Sequence, residues 1–186
     1  MLRVSGVAKG FVDAAVNRAF HRKGAVVFSR AMATQLPSEC FLLLASLIHA
    51  DGRVRDNEVQ GFRRAATTYG LSEEEIASIE ARASEGVSIA QVELPELTKW
   101  QAALTYAFAV WVAKADGIIN TEELAQLKEL GDLLGLEKLR RDAARSATYD
   151  IAALPGGHRP EEYDFAALET KLQEKLPGSF REHGGS

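Results

Sequence analysis

The chain has 186 residues, enough for one domain of generous size or two small ones, and at that length no covalent staple is needed to hold a core. With 46% apolar and 26% charged residues it is not a disordered, collagen-like or mucin-like chain. Its single cysteine, Cys40, excludes an internal disulfide and any Cys-built metal site, and the net charge of −4 is unevenly spread.

Residues 1–34 carry Arg3, Lys9, Arg18, Arg22, Lys23 and Arg30 against Asp13 alone, a net of +5, which leaves −9 on the rest. A basic segment on an acidic body suggests contact with a membrane surface or with the body's own acidic face. Lys9, Asp13 and Arg18 interrupt any apolar run after Met1, so the segment does not read as a signal peptide. Val7, Phe11 and Ala15, then Val12, Val16 and Phe20, recur at helical spacing, and a short surface helix is the preferred reading over a transit peptide. No stretch reaches 18 consecutive apolar residues, so no bilayer span is expected. The acidic body and the lack of a recognition motif speak against nucleic acid.

The middle of the chain repeats. Residues 36–71 and 101–136 follow one plan at an offset of 65. Ala50, Asp51 and Gly52 fall on Ala115, Asp116 and Gly117; Val54 on Ile119, Glu58 on Glu123, Phe62 on Leu127, and Gly70 and Leu71 on Gly135 and Leu136. Each copy opens with a helix apolar nearly all round, 41–48 and 102–113, as befits a rod covered on every side. Pro37 and Pro95 fall near the starts of these helices, where a missing N–H does no harm. After each Asp-Gly pair comes an amphipathic helix. Val59, Phe62, Ala66 and Tyr69 form one stripe and Leu124, Leu127, Leu130 and Leu134 the other; Arg63, Arg64, Lys128 and Glu129 face solvent. Glycine in the left-handed position closes both, with the next leucine folding back. Ser72 and Glu75 form a capping box that starts another helix through Ile76 and Ile79.

Beyond Tyr149, Pro155, Gly156, Gly157 and Pro160 mark a connection. Residues 161–176 then read as an amphipathic helix with Phe165, Leu168, Leu172 and Leu176 on one face; Pro177 and Gly178 end it, and 179–186 form a mobile tail. The expected protein is all-α: a single compact domain of about seven to nine helices, built from two pseudo-symmetric helical hairpins that cover each other's apolar rods. It divides into a basic segment (1–34), the two-repeat domain (35–150), a linker and packing helix (151–178) and a tail (179–186).

The Asp-Gly turns are the chemically interesting part. They look like half of an EF-hand loop, but the first two ligand positions would be Val112 and Lys114, or Leu47 and His49, and calcium needs oxygens there. Asp51 and Asp116 also close their helices, where the dipole disfavours a negative charge. One account is that each Asp caps the amides of the next helix while Glu58 and Glu123 sit in its favourable first turn. The other is that these acids, with Asn120, Glu122, Asp56 or Asn57, gather a divalent cation, calcium or magnesium, across the two copies. Both stand at this point. No phosphate loop, Gly-x-Ser-x-Gly elbow, His-Glu-x-x-His or Glu-x-x-His motif occurs. His21, His49, His158 and His183 are scattered, Cys40 lies in an apolar helix as an inert core residue, and Trp100, Tyr106, Phe108 and Trp111 read as core. An enzyme or small-ligand carrier, using a pocket between the two helical halves, is the alternative to a binding module.

Two copies of a buried helix ending in Ala-Asp-Gly, followed by a hydrophobic residue and an acid-rich helix start, resemble the TerB family of tellurite-resistance proteins. The run Ile48-His49-Ala50-Asp51-Gly52-Arg53-Val54 is also similar to the TerB-like domain of membrane-anchored J-domain co-chaperones. The resemblance covers residues 36–149. It implies an all-helical, non-enzymatic module of tellurite, metal or chemical stress response, cytoplasmic and beside protein partners at the inner membrane surface, with metal-binding acids that map to Asp51, Glu58, Asp116 and Glu123. Arg53 and Arg55 dilute the acid in the first copy, and His49 and Lys114 precede the acids, which favours a cation at the second. No J-domain follows, so co-chaperone activity is not implied.

Overall fold

In the computed structural model, residues 34–50, 52, 54–114, 119, 121–159 and 162–182 are described. Among them are eight α-helices, one short 3-10 turn and no strand. The expectations for the basic segment before Thr34, and for Asp51, Asp116 and Asn120, lie outside the described residues.

Helix α1 (Ser38–His49) starts at Pro37 in the N-cap position, and Cys40 through Ser46 and Ile48 are all buried. Helix α4 (Lys99–Ala113) is its counterpart: Trp100 and 102–112 are buried without a break. Its start belongs to Thr98 rather than to Pro95, which stands in the extended stretch before it. Thr98 Oγ1 accepts from the Gln101 amide at 3.2 Å, and Gln101 Oε1 accepts from the Thr98 amide at 2.9 Å. These two rods pack against each other, α3 (Glu73–Ser84) covers α1, and α6 (Lys138–Ala152) covers α4. Small residues on α6 let the backbones approach: Ala144, Ala147 and Thr148 are buried, with Thr148 Oγ1 3.1 Å from the Ala107 carbonyl on α4. Cys40 is fully buried, and burial pushes its thiol up to about 11, so it stays a protonated core residue.

Element bounds recur at the offset seen in the sequence. Helix α2 (Asp56–Thr68) becomes α5 (Thr121–Leu133) on adding 65, and α3 and α6 likewise begin at 73 and 138. The closures match bond for bond. Gly70 (φ 96°) and Gly135 (φ 61°) take the left-handed conformation, and the Leu71 and Leu136 amides reach back to the carbonyls of Ala66 and Gly131 at 3.1 and 3.0 Å. Ser72 caps α3 as expected, its hydroxyl and amide both on Glu75 Oε2 at 2.8 Å. Its counterpart Glu137 makes no side-chain cap.

Three expectations are corrected. Leu124 is 46% exposed although Leu127, Leu130 and Leu134 on the same stripe are buried. Arg64 does not face solvent freely: its guanidinium lies 5.0 Å above the Phe165 ring. Pro177 opens a further helix, α8 (Pro177–Glu182), as the first residue of a helix that needs no N–H there, so the chain does not loosen at Ser179. Ser179 is buried and accepts a hydrogen bond from Arg140 Nη1.

Helix α7 (Phe165–Lys175) starts later than the expected residue 161, because Asp164 caps it: its Oδ1 accepts from the Ala167 amide at 2.9 Å. It presents the four expected apolar residues, and all are buried: Phe165, Leu168, Leu172 and Leu176. They join the same core as α1 and α4. Phe165 meets Tyr69, Phe108, Trp111 and Tyr163 at centroid distances of 6.2, 5.5, 5.2 and 5.3 Å, three of these contacts edge to face. A glycine faces this cluster from the other side. A Cβ on Gly61 would stand 2.9 Å from Trp111 Cη2, an immovable ring edge in a packed core. Gly→Ala in a helix interior ordinarily stabilises by about 1 kcal/mol. Here the sign reverses: Gly61→Ala is expected to lower stability by about 1–3 kcal/mol through overpacking, read as a lower urea midpoint at unchanged slope.

Candidate functional site at the Asp-Gly turns

Helix α1 ends at His49 and α4 at Ala113, each just before its Asp-Gly pair in sequence, and the helices that follow, α2 and α5, open with acids in their first turns. At the first, Arg55 is extended (φ −104°, ψ 143°) and α2 begins at Asp56. Glu58, three residues on, turns back: its Oε2 accepts from the Arg55 amide at 3.0 Å and its Oε1 from Arg55 Nη1 at 3.2 Å. The carboxylate thus satisfies an orphan donor at a helix start and carries its own cation, at 8% exposure. In the second copy Glu123 is half-buried and Glu122 exposed on the first turn of α5. Lys114, which precedes the second turn, is drawn aside: its ammonium stands 4.4 Å over the Tyr149 ring.

The two copies meet at a small cavity of about 30 Å3, the room of a single water molecule. Leu47 and Val112, Ile48 and Ala113, and Glu58 and Glu123 line it, and each of these is a pair at the offset of 65. Glu122 adds a third carboxylate. The last turns of α1 and α4 bring the negative ends of two helix dipoles to this place, which favours a cation, while the first turns of α2 and α5 favour the acids themselves. Of the six expected ligands the structure brings together Glu58, Glu122 and Glu123; Asp51, Asp116 and Asn120 lie outside the described residues. Among the described residues no group of three or more acids, histidines or cysteines closes to a set that could hold a metal ion. A bound cation would therefore need further oxygens from the turns. Calcium takes 6–8, whereas magnesium keeps several waters and needs only one or two carboxylates.

A polar chain that sequence reasoning missed ties the C-terminal helix to the rest. Tyr69 Oη donates to Glu169 Oε1 at 2.5 Å; Thr34 Oγ1 donates to Glu169 Oε2 at 3.1 Å and accepts from Trp100 Nε1 at 2.8 Å. Burial, then the charge of Glu169 and its hydrogen bond, hold the Tyr69 phenol well above its ordinary value of 10.0. The available signal was spacing, since Glu169 falls four residues after Phe165 on the buried face of α7.

Comparison with known families decides the identity. The family model for "Tellurite resistance protein TerB" matches residues 38–146, more than half of the chain. The chain belongs to the TerB family. No curated protein and no solved structure was found to match it. The TerB match opens at the first residue of α1 and ends inside α6, so α7 and α8 stand outside it, although α7 shares its core. TerB is not a known enzyme family. Among the described residues no helix is long and apolar enough to cross a membrane.

Proposed function

We propose that this TerB chain is a non-enzymatic binding or scaffold module of tellurite, metal or chemical stress response, and that it takes a divalent cation, calcium or magnesium, at the cavity between its two hairpins. One observation carries the metal reading: equivalent residues of both copies line the same cavity and bring Glu58, Glu122 and Glu123 to it. Asp51, Asp116 and Asn120 complete the proposed set from the turns. The module works with protein partners in the cytoplasm, and its basic first 34 residues touch the inner membrane surface through anionic headgroups. No nucleic acid is involved.

Calorimetric titration with calcium, magnesium and zinc tests the metal directly. Wild type is expected to give a saturable heat with calcium or magnesium, and a stabilisation approaching about 2.7 kcal/mol at a hundredfold excess over Kd. Glu123→Gln is expected to weaken binding by about tenfold or more, because charge count sets affinity at oxygen sites. Glu58→Gln separates cation binding from capping, since glutamine retains an acceptor for the Arg55 amide. If the acids only cap, Asp116→Ala loses stability and no ion changes the result for any variant.

A further inference from the structure

The two copies differ in what stands at the end of their rods. In the first, a groove of about 540 Å3 lies beside the last turn of α1, a volume within the range of binding pockets. Ile48 and Phe62, both buried, and Val54, 42% exposed, give it an apolar lining, and His49 of α1 and Ser84 of α3 line it too. At the offset of 65, His49 and Ser84 become Lys114 and Tyr149. In the second copy that pair meets, with the Lys114 ammonium 4.4 Å over the Tyr149 ring. Ile119, the counterpart of Val54, is half-buried there and packs on the core. The acid one residue on recurs as well. Asp150 takes Lys175 of α7 at 2.9 Å, and its counterpart Glu85 stands exposed at the end of α3. The second copy therefore brings a ring and a lysine of its own to a place where the first has Ser84 and Glu85.

We infer that this groove docks a lysine-rich segment of a partner protein, which seats one aromatic side chain beside His49 and Ser84 and sets a lysine against Glu85. The ring follows from the second copy, and an aromatic anchor in an apolar pocket carries a large share of binding energy. The lysines follow from charge. Residues 73–96, α3 and the segment after it, carry a net of −6. Arg63, at the rim, is held by Glu80 at 2.6 and 2.7 Å and by Glu73 at 3.6 Å, so it offers an acidic partner little. Glu85 lies four residues after Ala81, which lines the groove, and so shares its face of α3. A basic segment is drawn to that wall and an acidic one repelled. The inference deepens the partner-binding reading and rests on it, and it needs no cation.

The test is therefore run in EDTA. The full chain, labelled with 15N, is titrated with the peptide acetyl-KKYKK-amide, with acetyl-KKAKK-amide and acetyl-EEYEE-amide as controls. Saturable shifts are expected with the first peptide, concentrated at the amides of Ile48, His49, Val54, Ala81 and Ser84. The alanine peptide is expected to bind about tenfold more weakly, and the glutamate peptide not at all. Ser84→Tyr rebuilds the ring of the second copy in the first and is expected to abolish the shifts. Glu85→Lys, at an exposed position, is expected to weaken binding about fivefold, which keeps the test decisive if Ser84→Tyr does not fold. Saturable shifts elsewhere, surviving in a folded Ser84→Tyr, would overturn the groove and leave partner binding standing. No saturable shift at any amide would count against both. Equal binding of either control peptide, or unchanged affinity in Glu85→Lys, would overturn the inference. So would self-association of the wild type that Ser84→Tyr removes, since the groove would then belong to a second copy.

Discussion

Ending the chain after Ala152 is expected to abolish cooperative unfolding, although the TerB match is then still complete. The reason is areal. Tyr163, Phe165, Leu168, Leu172 and Leu176 are all buried in the common core, and their loss uncovers Tyr69, Phe108 and Trp111 beneath them. At about 1.5–3 kcal/mol per buried large side chain the loss is on the order of 10 kcal/mol, comparable with the whole stability of an ordinary domain. The truncated protein is expected to keep far-UV helical signal while losing near-UV signal and a calorimetric transition. A single substitution gives a graded version: Phe165→Ala is expected to cost about 3–5 kcal/mol in urea unfolding. A truncated chain with the wild-type midpoint would show α7 to be an appendage.

The second large effect is expected at Glu169, where removal strands several groups at once. Glu169→Ala leaves the Tyr69 phenol and the Thr34 hydroxyl without their acceptor, and Thr34 is the acceptor for the buried Trp100 indole. Hydrogen bonds to a charged group contribute about 1.5–3 kcal/mol each, so a loss of about 3 kcal/mol is expected. Glu169→Gln keeps an acceptor for Tyr69 and is expected to lose less. Alkaline pH provides an independent check. A phenol raised above its unfolded value of 10.0 contributes stability that is fully present below that pH and is lost as pH rises beyond it. Cys40 acts in the same direction from 9.0 to about 11. Stability is therefore expected to fall from pH 9 upward, less steeply for Tyr69→Phe than for wild type in parallel urea titrations.

What could be read from the residues was local. The all-round apolar runs of α1 and α4, the Gly-Leu closures, the Ser72 box and the buried face of α7 each follow from spacing within one helix or its cap, although α7 begins at Phe165 and not at residue 161. What failed depended on neighbours. Leu124 lies on its stripe, but periodicity alone does not say which residues of a stripe a neighbouring helix covers. Arg64 reads as a surface cation until Phe165 arrives from about a hundred residues away. Pro177 is both a helix breaker and a good first residue, and only packing on α4 and α7 selects the second role.

The candidate site divides in the same way. Glu58 and Glu123 were found from the repeat, and the first-turn role of Glu58 follows from its position. That the two rods deliver their ends to one cavity is a long-range fact no spacing contains, and the structure supplies it.

Anomalous diffraction from crystals of the full chain grown with a manganese salt tests the central claim most directly, since manganese takes the oxygen ligands that magnesium and calcium do. The account predicts a peak at the cavity flanked by Leu47 and Val112, within bonding distance of a carboxylate oxygen of Glu58 or Glu123. A cavity without a peak, with Glu58 still turned back on Arg55 and Glu123 facing away, would contradict it.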